Sequence, residues 1–129
     1  MEYFIIHMFF KGHPRSATIL ETTIVITNKQ RTLNITVPII SYPPPTLIRW
    51  TFIQNGTTDI TDIDSKYIST VYGVYQHVSQ LIKDNVTDSE YGTYSIKVSN
   101  NIAPDFQHDF NVVEESKHVL INSVIKAIY

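Results

Sequence analysis

Residues 86–100 read VTDSEYGTYSIKVSN, and this stretch decides the fold. Its first part is rich in Thr, Asp and Ser, which favour turns because their side chains bond to nearby backbone groups. Glu90, Gly92, Tyr94 and Ile96 then fall on every second position, so they share one face of a β-strand. The stretch therefore predicts a turn followed by a strand that carries these four residues on one face.

On both sides of this stretch, short strand-like runs recur about every ten to fifteen residues, with turn residues between them. No run in the body of the chain has the apolar spacing of a helix of about ten or more residues. This pattern predicts an all-β sandwich or a small barrel. The runs cover residues 18–27, 31–40, 47–54, 66–72, 74–83, 90–100 and 106–113.

The chain has 129 residues, a length that suits one domain with short flanks. We predict an N-terminal flank over residues 1–17, the domain over residues 18–115, and a C-terminal flank, or the start of a truncated segment, over residues 116–129. The apolar run at residues 3–10 is too short to span a bilayer and has no basic segment before it, so it is at best a poor signal sequence. Any membrane attachment would need parts outside this chain.

The order of the signals resembles an immunoglobulin domain of the intermediate set. Trp50 follows a proline-rich connection at residues 43–45, and a corner with Glu90, Gly92 and Tyr94 comes later. The resemblance implies an all-β, immunoglobulin-like, two-sheet antiparallel sandwich with Greek-key connections, from a cell-adhesion or receptor-type protein. It also implies that the Tyr94 hydroxyl bonds back to the backbone at the corner.

The chain departs from this family because it contains no cysteine. By register, Val37 and Ile96 occupy the two positions of the family's core disulfide and face Trp50. With Gly92 and Tyr94, these residues form the core signature that the resemblance implies. An aliphatic pair can fill the volume of the bridge and bury apolar area.

The resemblance also implies an ion pair at the corner. Glu90 stands where the family usually has an aspartate that pairs with a base opening an earlier strand. Lys66 precedes such a strand, so we predict a structural pair between Lys66 and Glu90.

Three Asn-x-Thr sequons begin at Asn34, Asn55 and Asn85. Each asparagine falls on an outward strand position or a turn in the predicted strand pattern. Such sequons carry glycans in secreted proteins, so they favour an extracellular domain. The alternative is chance, because the motif is common in chains rich in Asn and Thr.

The sequence lacks the residues that several classes of function require. The formal net charge is −2 and no basic run occurs, which disfavours a nucleic-acid partner. The histidines are scattered without metal-ligand spacing, and a thiolate site needs cysteine, so no metal and no cofactor are predicted. No phosphate loop or nucleophile elbow occurs, so we predict that the protein is not an enzyme.

The outward side of three predicted strands is the candidate binding face. It would present polar side chains and one apolar residue, with tyrosines at 67, 72 and 75 adding amphipathic area of the kind that interfaces favour. The alternative is an ordinary solvated sheet face. The candidate residues are Arg49, Thr51, Ile53, Lys97, Gln107 and Asp109.

Two functions remain open at this point. The first is an extracellular or cell-surface recognition module that binds a protein ligand or a homophilic partner. The alternative is an intracellular, cytoplasmic structural spacer of a scaffold protein. The sequons favour the first function, and the absence of cysteine favours the second.

Overall fold

The computed structural model describes residues 11–18, 24–27 and 30–114. These residues form nine β-strands and two short 3-10 turns, Ser65–Tyr67 and Asp88–Glu90. The strands are β1 (Gly12–Ser16), β2 (Ile24–Thr27), β3 (Leu33–Tyr42), β4 (Leu47–Gln54), β5 (Thr61–Asp62), β6 (Ile68–Tyr72), β7 (Gln76–Lys83), β8 (Gly92–Ser99) and β9 (Phe106–Glu114).

The strands form two sheets. The first sheet has the order β1-β3-β7-β6, and the second has the order β2-β9-β8-β4-β5. All pairings are antiparallel except that of β2, which runs parallel to β9. Along the described strands the chain passes from one sheet to the other at five connections: β1–β2, β2–β3, β3–β4, β5–β6 and β7–β8. The predicted two-sheet β-sandwich is confirmed.

The core lies between the sheets because the strands alternate in polarity. On β3, Leu33, Ile35, Val37 and Ile39 are buried, and the residues between them are more exposed. A period of two places one set of side chains on the inner face of the pleat. The second sheet contributes the facing layer, which contains Trp50, Tyr94, Ile96, Val98, Phe110 and Val112.

The predicted N-terminal boundary at residues 17 and 18 is wrong. The segment Gly12–Ser16 pairs with β3, where Arg15 lies opposite Ile40. Pro14 hid this strand in the sequence, because proline cannot donate to a ladder and is tolerated mainly at sheet edges. The structure places β1 at such an edge, with Pro14 buried.

The predicted strand over residues 18–27 is also corrected. Its last part, β2, lies at the edge of the second sheet, whereas β1 belongs to the first sheet. Residues 19–23 of that strand, the apolar run at residues 3–10 and the C-terminal flank after residue 114 lie outside the described residues.

Candidate recognition face

The corner before β8 has the geometry that the sequence resemblance implies. The hydroxyl of Tyr94 donates to the backbone carbonyl of Glu90 at 2.7 Å. Burial, followed by the nearby Glu90 charge, raises the pKa of Tyr94 above its ordinary value, so the hydroxyl keeps its proton. At Gly92, a Cβ would overlap the backbone carbonyl of Ile53, so only glycine allows β8 to approach β4 this closely.

The core signature residues Val37, Trp50 and Ile96 are all buried in one cluster. Trp50 lies opposite Ile96 in the second sheet, and Val37 belongs to the first sheet. The indole Nε1 of Trp50 donates to Ser79 Oγ at 2.9 Å, so a hydrogen bond links the two sheets within the core. The sequence pattern did not reveal Ser79, because a serine on a strand is usually solvated.

The predicted ion pair between Lys66 and Glu90 is wrong. The Nζ of Lys83 lies 3.2 Å from Glu90 Oε2, and the Nζ of Lys66 lies over the ring of Tyr67, 5.0 Å from its centroid. Lys83 is the last residue of β7, and the next turn carries Glu90. The lysine side chain therefore lies beside the carboxylate. The resemblance had assigned the base to the beginning of the neighbouring strand.

Glu90 also caps its own 3-10 turn. Its Oε1 accepts hydrogen bonds from the backbone N–H and the hydroxyl of Thr87, both at 3.1 Å. Burial alone would raise the pKa of Glu90, but the bonds from Lys83 and Thr87 outweigh it, so the pKa lies below its usual value. The carboxylate therefore fixes the turn as an anion.

At the opposite end of the sandwich, Asn100 ties three segments together. Its Nδ2 lies 2.7 Å from the Gly12 carbonyl, 3.1 Å from Ser41 Oγ and 3.2 Å from the Pro43 carbonyl. Its Oδ1 accepts from the N–H of Ile102 at 3.0 Å. A buried amide with this many partners holds the loops at this end in fixed positions relative to the sheets.

The candidate recognition face, called the recognition face below, is the outward side of β4, β8 and β9. Arg49 lies directly opposite Lys97, which in turn lies opposite Gln107. A depression of about 210 Å³ lies over these strands, and Ile60 from the β4–β5 connection forms part of its wall. Its lining residues are Arg49, Thr51, Ile60, Ser95, Lys97 and Gln107. The structure thus brings together four of the six predicted face residues.

The other two predicted residues lie on the same face outside the depression. Ile53 is half-buried near the end of β4. Asp109 on β9 accepts a hydrogen bond from the hydroxyl of Ser95 at 2.6 Å. The tyrosines at 67, 72 and 75 do not belong to this face, because they lie on or beside β6 in the first sheet.

Charged side chains of both signs occur on the recognition face. Arg49 Nε lies 2.7 Å from Asp62 Oδ1, and Lys97 Nζ lies 3.7 Å from Asp105 Oδ2. Two cations directly opposite each other on neighbouring strands repel, and each is compensated here by its own carboxylate. The face therefore presents mixed charges whose side chains already have partners.

Sequence reasoning missed Ile60, Asp62 and Asp105 as members of this surface. Ile60 is 65% exposed, although it is a large apolar side chain. The Asn55-Gly56 pair is typical of a tight turn, and the Thr57 N–H donates to the Gln54 carbonyl there at 3.0 Å, but the position of Ile60 depends on how the following loop lies on the sheet.

All three sequon asparagines are exposed, and they lie at one end of the sandwich. Asn34 lies near the beginning of β3, opposite Ile82. Asn85 directly follows β7 and has a positive φ of 55°. Asn55 follows β4, and its backbone N–H donates to the Tyr91 carbonyl at 3.1 Å, which joins its turn to the corner.

Within the described ranges, no group of three or more His, Asp or Glu side chains could hold a metal ion. No helix in those ranges is long and apolar enough to cross a membrane.

Sequence comparisons give no relative, but structural comparisons do. No protein-family model and no curated protein matches the sequence. Among solved structures, the chain is similar to Dpr2 Ig1-Ig2 in complex with DIP-Theta Ig1-Ig3, with a TM-score of 0.63 and 15% identity over 81% of this chain. It is also similar to DIP-gamma IG1+IG2, with a TM-score of 0.52 and 13% identity over 79% of this chain.

The chain spans 33% and 48% of the lengths of those two matched chains, respectively. At such low identity the likeness concerns the fold. By architecture, the protein is an immunoglobulin-like β-sandwich without a core disulfide, since it contains no cysteine.

Proposed function

We propose that the protein is a non-catalytic protein-recognition module of a cell-surface or secreted adhesion or receptor protein. It binds its partner through the recognition face on β4, β8 and β9. The observation that carries this proposal is the depression at the centre of that face, where exposed Ile60 stands beside paired charges. An apolar anchor within a polar surround is the usual anatomy of a protein interface.

Two further observations support the proposal. The three sequons are exposed and lie at one end of the sandwich, so glycans there would leave the recognition face open. One structural neighbour, Dpr2 Ig1-Ig2, is described in a complex with other immunoglobulin domains, so this fold can serve protein–protein contacts. No small-molecule cofactor is part of the proposal.

An intracellular spacer domain is the second candidate. The absence of cysteine favours it, because the core of Val37, Trp50 and Ile96 is filled without a bridge and would be stable in a reducing compartment.

The compartment of the protein, extracellular or intracellular, is tested by measuring the intact mass of the chain expressed in its natural cells, before and after enzymatic glycan removal. We expect a mass loss that maps to Asn34, Asn55 and Asn85. Unmodified asparagines in cells that glycosylate other proteins would favour the spacer.

The binding face is tested by screening the chain, displayed as a multimer, against an array of extracellular domains from the same organism. Any protein that binds is then measured against Ile60→Asp and Lys97→Glu, which both change exposed side chains at the depression. We expect each substitution to weaken binding at least tenfold, on the order of 1.4 kcal/mol.

Matched controls exist on the other side of the molecule. Val74 is 60% exposed in the turn between β6 and β7, and Lys66 is exposed beside β6. Val74→Asp and Lys66→Glu should leave binding unchanged. Equal losses from the control and face variants would refute the assignment of the face.

A further inference from the structure

Strand β6 is an open edge of the first sheet. Within residues 11–18, 24–27 and 30–114 it pairs only with β7, and no charge, proline or register irregularity occurs between Ile68 and Tyr72. Two of the other three described edges are blunted, since β1 contains Pro14 and a register shift and β5 has two residues, whereas β2 is an edge of four residues. Natural proteins usually protect an edge with such devices, so their absence from β6 points to a partner strand.

The hydrogen-bonding groups on this edge can be assigned from the turn beside it. The N–H of Gly73 donates to the Gln76 carbonyl at 3.1 Å, so alternation makes Val71 and Ser69 the residues that bond to β7. The backbone groups of Thr70 and Tyr72 then point away from the sheet. At Ile68 only the carbonyl is offered, because its N–H binds the Ser65 carbonyl.

These groups fit a second copy of the same strand. An antiparallel copy centred on Thr70 would make two reciprocal bonds between the Thr70 backbones. It would make two more from the Tyr72 N–H of each copy to the Ile68 carbonyl of the other. No bond in this set needs the occupied N–H of Ile68.

The side chains of β6 are complementary to themselves in the same register. Thr70 would face Thr70, Ile68 would face Tyr72, and Ser69 would face Val71. Threonine pairs and aromatic pairs with β-branched residues are favourable across antiparallel strands, and no like charges meet. Val71 is 68% exposed and Tyr72 is 55% exposed in the single chain, so pairing would remove apolar area from water.

We propose that the protein forms a two-fold symmetric homodimer by antiparallel pairing of the β6 edges, which joins two four-stranded sheets into one of eight strands. This interface lies on the first sheet and leaves the recognition face on the second sheet free. The dimer therefore does not depend on the proposed function.

The first test is sedimentation equilibrium of the chain and of two charged double variants. Ser69→Lys with Val71→Lys puts lysines opposite lysines across the pairing, and Ser69→Glu with Val71→Glu does the same with carboxylates. We expect the unchanged chain to dimerise and each double variant to dimerise at least tenfold more weakly. An equimolar mixture of the two variants should recover a dimer, because lysines then face carboxylates.

Recovery in the mixture separates lost pairing from lost folding. Ala103→Lys, at an exposed position in the connection between β8 and β9, is the matched control and should dimerise normally. A monomeric unchanged chain at high micromolar concentration, or dimers that persist in both charged variants, would overturn the proposal.

The second test determines the register of the strand pairing. Because the chain contains no cysteine, an introduced cysteine is the only thiol in each chain. In the proposed pairing Ser69 and Val71 form a non-hydrogen-bonded pair, whose Cα atoms would be about 4.5 Å apart, close enough for a disulfide. A mixture of Ser69→Cys and Val71→Cys chains should cross-link under mild oxidation far more than either chain alone. Equal cross-linking in all three samples would refute the register.

Discussion

At the residue scale, the predicted placement of Val37 and Ile96 at the two positions of the family's disulfide can be tested by introducing a disulfide there. Val37 and Ile96 are fully buried in one cluster, on opposite sheets. We expect Val37→Cys with Ile96→Cys to oxidise in the folded protein and raise the free energy of unfolding by about 3–4 kcal/mol. Free-thiol titration and denaturant unfolding measure both effects.

The matched control moves one cysteine along the same strand. Val98 is also fully buried and lies two residues beyond Ile96 on the same face of β8. Val37→Cys with Val98→Cys should leave both thiols free. Oxidation of this control in place of the first variant would shift the register between the sheets by two residues.

Two inward-facing histidines have opposite hydrogen-bond environments. His77 is fully satisfied: its Nδ1 accepts from the Gly73 N–H at 3.2 Å, and its Nε2 lies 3.0 Å from the Ser41 carbonyl. In the part of the chain that the structure describes, the Nε2 of His108 is buried without a hydrogen-bond partner. An unpaired buried polar group costs about 1–3 kcal/mol.

We therefore expect substitutions of these histidines to have opposite signs. His108→Leu should raise the free energy of unfolding by about 1 kcal/mol, because it removes an unsatisfied group that packs against Phe110. His77→Leu should lower it by about 1–3 kcal/mol, because the Ser41 carbonyl loses its His77 partner and the Gly73 N–H keeps only its bond to the Gln76 carbonyl. Urea unfolding at neutral pH measures both, and a stability loss in His108→Leu similar to that of His77→Leu would contradict the assignment.

At the element scale, Glu90 links the turn before β8 to the end of β7. Its pKa is lower in the folded protein than its unfolded value of 4.5, so its contribution is complete above that pH and is lost as the pH falls through the folded pKa. Stability should therefore decline in acid below about pH 4.5. We expect Glu90→Gln to lose about 1–2 kcal/mol at neutral pH and to flatten this decline.

The lysine partner of Glu90 is tested by a matched pair of substitutions. Lys83→Met should destabilise the fold and weaken its acid sensitivity, because Lys83 contacts the carboxylate. Lys66→Met should change neither quantity. A loss of stability in Lys66→Met without one in Lys83→Met would instead support the pair between Lys66 and Glu90 that the family resemblance implies.

The same elements show which features a sequence can reveal. The alternation on β3 and β8 predicted the inner and outer faces, because a period of two is a local property of the strand. The partner of Glu90, the indole bond to Ser79 and the strand around Pro14 were missed, because each depends on register between distant segments. At the recognition face, alternation identified Arg49 and Lys97, whereas Ile60 reaches the face from a loop.

At the scale of the whole molecule, the sequons and the recognition face occupy different surfaces, and this separation can be tested with an added glycan. Lys97→Asn creates the sequon Asn-Val-Ser at the depression, since Val98 and Ser99 follow it. A glycan there should abolish binding of a protein partner identified on the array, and enzymatic removal should restore binding to the level of the unglycosylated variant. Removal of glycans from the three native sequons should leave binding unchanged.

Two controls separate the glycan from the substitution itself. Lys97→Asn with Ser99→Ala has the same asparagine without a sequon, so it should bind like the deglycosylated single variant. Gln76→Asn with Val78→Thr places a sequon on the outward side of β7 in the first sheet, where both residues are exposed. Binding should tolerate a glycan there. If this second glycan blocks the partner and the first does not, the partner binds the first sheet.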